Sequence, residues 1–196
     1  MPILALERTH FPDNLFDQDP SERSKTDCVW SVLHTRPRQE KALIRQFLSA
    51  GIGFYLPLIG KQSPIRGRIV TSYLPLFPGY VFLQATPEDR VKALALAKGR
   101  IVQSLAVREQ AQLWRDLSQI HTLIDRGLSV QPEGRLEPGL LVEIKSGPLA
   151  GLRGKIVREV SHRRFVVAVD FIQQGVSILL DDHLLIPAID ADLRAD

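Results

Sequence analysis

One cysteine, Cys28, is all the thiol chemistry this chain has. A single cysteine leaves no internal disulfide to form and cannot by itself hold a zinc ion. Its plain reading is a small buried apolar residue at the start of a strand. No apolar run approaches the length needed to cross a bilayer, and no basic segment followed by an apolar one opens the chain. Cytoplasm is therefore the default expectation. Catalytic groups are sparse as well. His34, His121 and His162 stand apart from Cys28, and no carboxylate pair or metal-spaced cluster lies near them. Asp181-Asp182-His183 reads as a turn. No phosphate-cradling glycine loop precedes a helix. The sequence nominates no reaction, cofactor or metal.

What remains is an ordinary globular composition, 44% hydrophobic and 24% charged over 196 residues, enough for one or two packed domains. The net charge of +3 is small, but it is unevenly placed. Residues 28–126 hold 14 Lys and Arg against 6 Asp and Glu, whereas 1–27 and 189–196 are acidic and 127–188 is balanced. A polyanion would be met by the middle block.

Residues 1–27 carry Pro12, Asp13, Asp17, Asp19, Pro20 and Ser21 without periodicity and are expected as a flexible acidic leader. Val29–Leu33 predicts a strand. Pro37 predicts the start of a helix to Ala50, closed by Gly51. In that helix Arg38, Lys41 and Arg45 share one stripe. Further strands are predicted at 54–59, 79–84 and 101–105, and Gly60–Ser72 reads as an extended hairpin or mobile loop carrying Lys61, Arg66 and Arg68. Thr86-Pro87-Glu88-Asp89 has the signature of a helix start. A third helix is expected over 109–126, then a linker at 127–136. From Pro138 the pattern is strands only, at 140–145, 153–160, 164–171, 176–180 and 184–187. The organisation is an α+β block of antiparallel sheet and flanking helices, followed by a small all-β barrel.

Three segments invite a functional reading. In Pro75–Leu83, Tyr80 and Phe82 point one way and Val81 and Leu83 the other, so both strand faces are apolar. One face needs a cover, and Phe77 and Tyr73 enlarge it; either the third helix supplies that cover or a partner docks there. Arg36, Arg38, Lys41, Arg45, Lys98 and Arg100 form either a solvated charged face or a phosphate-facing surface. The third segment is Val142–Val157, where alternating apolar residues flank Gly147, Pro148, Gly151 and Gly154. It reads as a tight hairpin needing positive φ.

Trp30–Ala42 (W-S-V-L-H-T-R-P-R-Q-E-K-A), Pro75–Leu83 (P-L-F-P-G-Y-V-F-L) and the glycine-rich hairpin together resemble the NusG family of transcription elongation factors. The resemblance implies a NusG-type domain at 28–126, a linker at 127–136, an SH3-like KOW barrel at 137–188 and a tail at 189–196. It implies docking on the clamp helices of RNA polymerase through Phe77 and Tyr80, with Tyr73, Phe54 and Tyr55 as weaker candidates. Arg36, Lys41, Gln46, Lys98 and Arg100 would lie towards the non-template DNA strand near the upstream fork. Phe171 and Ile172 would form the KOW partner loop. Its partner would be a small-subunit ribosomal protein, with Rho a weaker fit because Ile172 stands where housekeeping members tend to carry an aromatic. The P-R-Q-E-K and P-L-F-P-G-Y segments look closer to specialised RfaH-like antiterminators. The implied factor is a non-enzymatic cytoplasmic monomer. A housekeeping elongation and termination factor, and a KOW-containing rRNA-binding protein, remain the alternatives.

Overall fold

The structure is a computed structural model that describes residues 7–17, 27–65, 67–133, 140–144, 149–158 and 163–180. The chain forms two compact units, Met1–Trp114 and Arg115–Asp196.

The first unit is built on a five-stranded antiparallel sheet ordered β1-β3-β6-β2-β7. The strands are β1 (His10–Phe11), β2 (Val29–Thr35), β3 (Gly53–Tyr55), β6 (Tyr80–Ala85) and β7 (Ile101–Ala106). Between β3 and β6 the chain makes a separate two-stranded ribbon, β4 (Leu58–Ile65) and β5 (Arg68–Pro75). Two helices, α1 (Glu40–Ser49) and α2 (Pro87–Leu96), supply residues to a core with one side of the sheet. There Leu33, Phe54, Val81 and Leu83 meet Leu43, Ile44, Phe47 and Ala93, all almost fully buried.

Local chemistry sets the helix ends. Thr86 caps α2, its hydroxyl accepting the Asp89 N–H at 3.1 Å, with Pro87 in the first turn. α1 begins at Glu40 rather than at Pro37, because Arg38 takes φ of 63°. The Glu40 carboxylate, 5% exposed, accepts the Gly79 N–H at 2.8 Å and so ties α1 to the turn before β6. Gly51, at φ of 68°, closes α1 while the Ile52 N–H reaches back to the Phe47 carbonyl.

Part of the expected acidic leader is instead built into the sheet. β1 pairs with β3, and the Leu56 N–H donates to the Thr9 carbonyl at 2.6 Å. Leu15 is 1% exposed. The physical reason is the apolar residue Phe11 and the apolar dipeptide Leu15-Phe16, too short for a periodic signal yet sufficient to fill the sheet edge. Residues 1–6 and 18–26 lie outside the described residues.

α3 (Gln110–Asp125) carries the boundary between the units within it. In the second unit, a five-stranded antiparallel sheet has the order β8-β12-β11-β10-β9. Its strands are β8 (Gln131–Glu133), β9 (Leu140–Glu143), β10 (Arg153–Arg158), β11 (Arg163–Val169) and β12 (Gln174–Leu180). Two features differ from the expected division. β8 lies inside the span read as linker and pairs with β12. Residues from Arg115 onward group with the second sheet: the Asp116 carboxylate accepts the Asp170 N–H at 3.3 Å and the Gln119 side chain accepts the Arg153 N–H at 2.5 Å. The expected strand at 184–187, the tail, Asp181-Asp182-His183, Gly147 and Pro148 lie outside the described residues.

The glycines of the hairpin do two different jobs. Gly151 takes φ of 85°, as expected. Gly154 does not need positive φ; a Cβ there would sit 2.5 Å from the Val166 carbonyl oxygen and 2.8 Å from the Phe165 ring. Close approach of backbone to core is what that position requires.

Candidate docking and nucleic-acid surfaces

Opposed residues of an antiparallel pair share a face. The register sets Phe82 against Val32 and Tyr55, Tyr80 against His34, and His34 against Gln103. Trp30, Val32, His34, Tyr55, Tyr80 and Phe82 therefore line the sheet face opposite the helix-side core. Its two ends differ. At one end Phe16 stands edge-on to Tyr55, with ring centroids 4.8 Å apart, and lies nearly parallel to Trp30 at 6.4 Å. Trp30 is also held through its backbone: the Gln110 side chain accepts its N–H at 2.6 Å and donates to its carbonyl at 2.9 Å. At the other end the His34 and Tyr80 rings stack with centroids 5.3 Å apart, both half-buried.

This arrangement corrects the expected surface of bare rings. Phe77 is 1% exposed and packs edge-on against Phe82, while Phe54 and Tyr55 are at most 1% exposed. Burial pushes the Tyr55 phenol well above its ordinary value of 10.0. Alternation also splits the group. Phe54 belongs to the helix-side core and half-buried Tyr73 packs against that same core, so neither shares a face with Tyr55 and Tyr80. Of the five rings, Tyr80 alone combines the sheet's aromatic face with accessibility. Its neighbour His34, passed over in the sequence for want of a catalytic partner, was legible as the next alternate residue after Trp30 and Val32.

The cationic residues are brought together in part. The Arg36 N–H donates to the Arg100 carbonyl at 2.7 Å, and Lys98 sits in the turn before Arg100, where Gly99 takes φ of 80°. Lys41 lies in the first turn of α1, just after Arg36–Gln39. Gln46 falls elsewhere, lining a shallow depression with Arg45, Ser49, Ala50 and Leu96. The stripe Arg38–Lys41–Arg45 does not survive: Arg38 precedes the helix. Arg45 pairs with Glu7 at 2.7 Å, a hydrogen-bonded carboxylate that raises its pKa. In the second unit Phe171 is 37% exposed on a short 3-10 turn, whereas Ile172 beside it is 9% exposed.

Among the described residues no group of three His, Cys, Asp or Glu side chains is placed to hold a metal ion. No described helix is long and apolar enough to cross a membrane. The first unit is thus a helix-backed antiparallel sheet with an aromatic face and a cationic margin. Residues 29–119 match the family model NusG, described as transcription termination factor nusG, so the chain carries a NusG-like domain over that span. Proteins of the family are non-enzymatic. Among solved structures the chain is similar to NusG of Thermotoga maritima, from a study of its domain interaction, at 19% identity and a TM-score of 0.44. That match covers 83% of this chain and 98% of that one. It is also similar to a chain of the MjSpt4:Spt5 complex in conformation A, at 17% identity and a TM-score of 0.27, covering 79% and 99%. No curated protein matches the chain.

Proposed function

We propose that this NusG-like factor is a specialised, RfaH-like antiterminator that holds the clamp helices of RNA polymerase and suppresses pausing and termination. The observation that carries the reading is the stacked Tyr80–His34 pair, half-buried at the open end of an aromatic sheet face inside the family domain. Tyr80 makes the primary contact. Tyr55 and Phe77 support that face from beneath, and Phe54 and Tyr73 hold the opposite side. Arg36, Lys98 and Arg100, with Lys41 close by in sequence, form the margin directed at the non-template strand. The second unit supplies a KOW domain that recruits a small-subunit ribosomal protein through Phe171, the exposed residue of its turn, with Ile172 buried behind it.

The deciding experiment is transcription by purified RNA polymerase on a template holding a pause site and a terminator. Longer transcripts with the protein present, lost with Tyr80→Ala, are the expected result. Unchanged pausing and readthrough would refute antitermination; enhanced termination with Rho would favour the housekeeping role. Binding to rRNA without binding to polymerase would favour the ribosomal one.

A further inference from the structure

Residues 7–17 precede the span that matches the family model, which begins at residue 29, and the proposed docking surface leaves them unused. They are nevertheless built into the first unit. The register sets His10 against Tyr55 and Phe11 against Phe54, so His10 joins the aromatic face while Phe11 packs on the helix-side core. Leu15 is 1% exposed, and the Glu7–Arg45 pair ties the start of the segment to α1. After β1 the chain makes two successive turns. The Leu15 N–H donates to the Pro12 carbonyl at 3.0 Å and the Asp17 N–H to the Asn14 carbonyl at 3.2 Å. Those turns set Phe16 against Tyr55 and Trp30 and leave it half-buried.

The result is a second accessible ring pair. His10 and Phe16, both half-buried, stand with centroids 6.1 Å apart, while His34 and Tyr80 stack at 5.3 Å at the other end of the face. Trp30, beside Phe16, and His34 are four residues apart on β2, about 13 Å at about 3.3 Å per residue. Between the pairs Val32, Tyr55 and Phe82 are at most 1% exposed, so a partner meets two separate anchor points rather than one open groove. The two ends also differ in charge. Arg36, Lys98 and Arg100 stand where β2 ends and β7 begins, at the His34 end. At the Phe16 end Asp13, Asn14 and Asp17 are exposed. Asp13 pairs with Arg8, whereas Asp17 makes no ion pair among the described residues. The sequence from Thr9 to Glu22 holds four acids and no Lys or Arg.

We propose that residues 10–17 are a second docking element, in which Phe16 anchors and Asp17 attracts a basic, apolar segment of the partner. Under the proposed function, on which the partner's identity rests, that segment belongs to RNA polymerase. Its basic character follows from charge: an exposed ring flanked by an uncompensated carboxylate favours lysine or arginine opposite and disfavours an acid. A ring held between a buried neighbour and a paired strand already keeps its place before docking, so little ordering is left to oppose binding. Two anchors about 13 Å apart also fix the orientation of the factor on its partner, which a single ring pair leaves free to pivot.

The test is binding of the full chain to purified RNA polymerase at about 50 and about 500 mM salt, for the wild type, Phe16→Ala, Asp17→Lys and Tyr80→Ala. Phe16→Ala is expected to weaken binding about tenfold, as loss of an aromatic anchor does. Asp17→Lys is expected to weaken it about fivefold at the lower salt and less than about twofold at the higher, where screening shortens the reach of the charge. The Asp17 side chain is exposed, so that variant keeps the fold, and a merely structural role would not produce the salt dependence. Tighter binding of Phe16→Ala would make the ring a plug that competes with the partner. Unchanged binding of Phe16→Ala, or of Asp17→Lys at the lower salt, would make the segment a structural cover. Either result overturns the proposal. A photo-crosslinker in place of exposed Asn14, in the complex of polymerase, DNA and factor, is expected to label polymerase; labelling of DNA alone, or of nothing, would overturn it too. The two readings fail separately. A wild type that does not bind polymerase overturns both, whereas binding that Tyr80→Ala abolishes and the Phe16 and Asp17 variants leave unchanged overturns only this one.

Discussion

Phe77 and Tyr80 stand three residues apart and do different work. Phe77 is sealed against Phe82, so Phe77→Ala empties a core site and is expected to cost about 3–5 kcal/mol, read as a lower denaturant midpoint at unchanged slope. Tyr80, half-buried, is expected to lose less than half as much while abolishing polymerase pulldown. A Phe77→Ala protein as stable as the wild type would show that the ring is not core. Tyr55 supplies a pH test of the same buried layer. Its folded pKa is raised by burial, so the unfolded chain ionises near pH 10 while the folded chain keeps the phenol neutral. Stability is therefore full below that value and falls as pH rises beyond it. Denaturation at about pH 8 and 11 should show a drop that Tyr55→Phe makes smaller; an identical drop in the variant would mean the phenol already meets water. Gly154→Ala drives a methyl group into a carbonyl oxygen at 2.5 Å and an aromatic ring at 2.8 Å. It is expected to destabilise by about 1–3 kcal/mol, seen as a lower Tm of the second unit's transition.

Elements were legible in the sequence where local chemistry repeats itself. α2 was marked by Thr86-Pro87-Glu88-Asp89, and the cap forms as written. β2, β6 and β7 were marked by short runs rich in apolar, β-branched and aromatic residues, and the ribbon by its polar, basic stretch around Gly67. β1 was not legible, because two residues have no period, and its place in the sheet depends on an edge that only the folded chain creates. The same gap explains the site. Alternation revealed that β6 is apolar on both faces, but which of them water reaches depends on Leu15 and Phe16, distant in sequence from Tyr55 and Trp30. The segment 7–17 is held by a two-residue strand, those apolar contacts and an exposed Glu7–Arg45 pair that contributes little by itself. Removing residues 1–17 is expected to lower Tm by several degrees and to raise binding of a hydrophobic dye, since Tyr55 and Trp30 lose their cover. Unchanged dye binding would mean that another element shields them.

At the scale of the whole molecule, charge and apolar surface are separated. Positive charge gathers in residues 28–126, where Lys98 and Arg100 stand near Arg36 in one margin and further cations are spread over α1, α2 and the β4–β5 ribbon. The margin lies apart from the aromatic face, so under the proposed function holding the polymerase and touching nucleic acid fall to different residues. That separation makes a sharp prediction. Lys98 is exposed, and Arg100, half-buried with its Nε out of reach of water, stands in the turn before β7. Lys98→Ala/Arg100→Ala is therefore expected to leave polymerase pulldown within about twofold of the wild type. Readthrough of a pause should nevertheless fall, and most at high ionic strength, where the remaining phosphate contacts are weakest. Tyr80→Ala should lose pulldown and readthrough together at every salt concentration, because without docking the cations have nowhere to act. If the double variant lost both activities in parallel, the margin would be part of the docking surface, and the division between grip and nucleic-acid contact would fail.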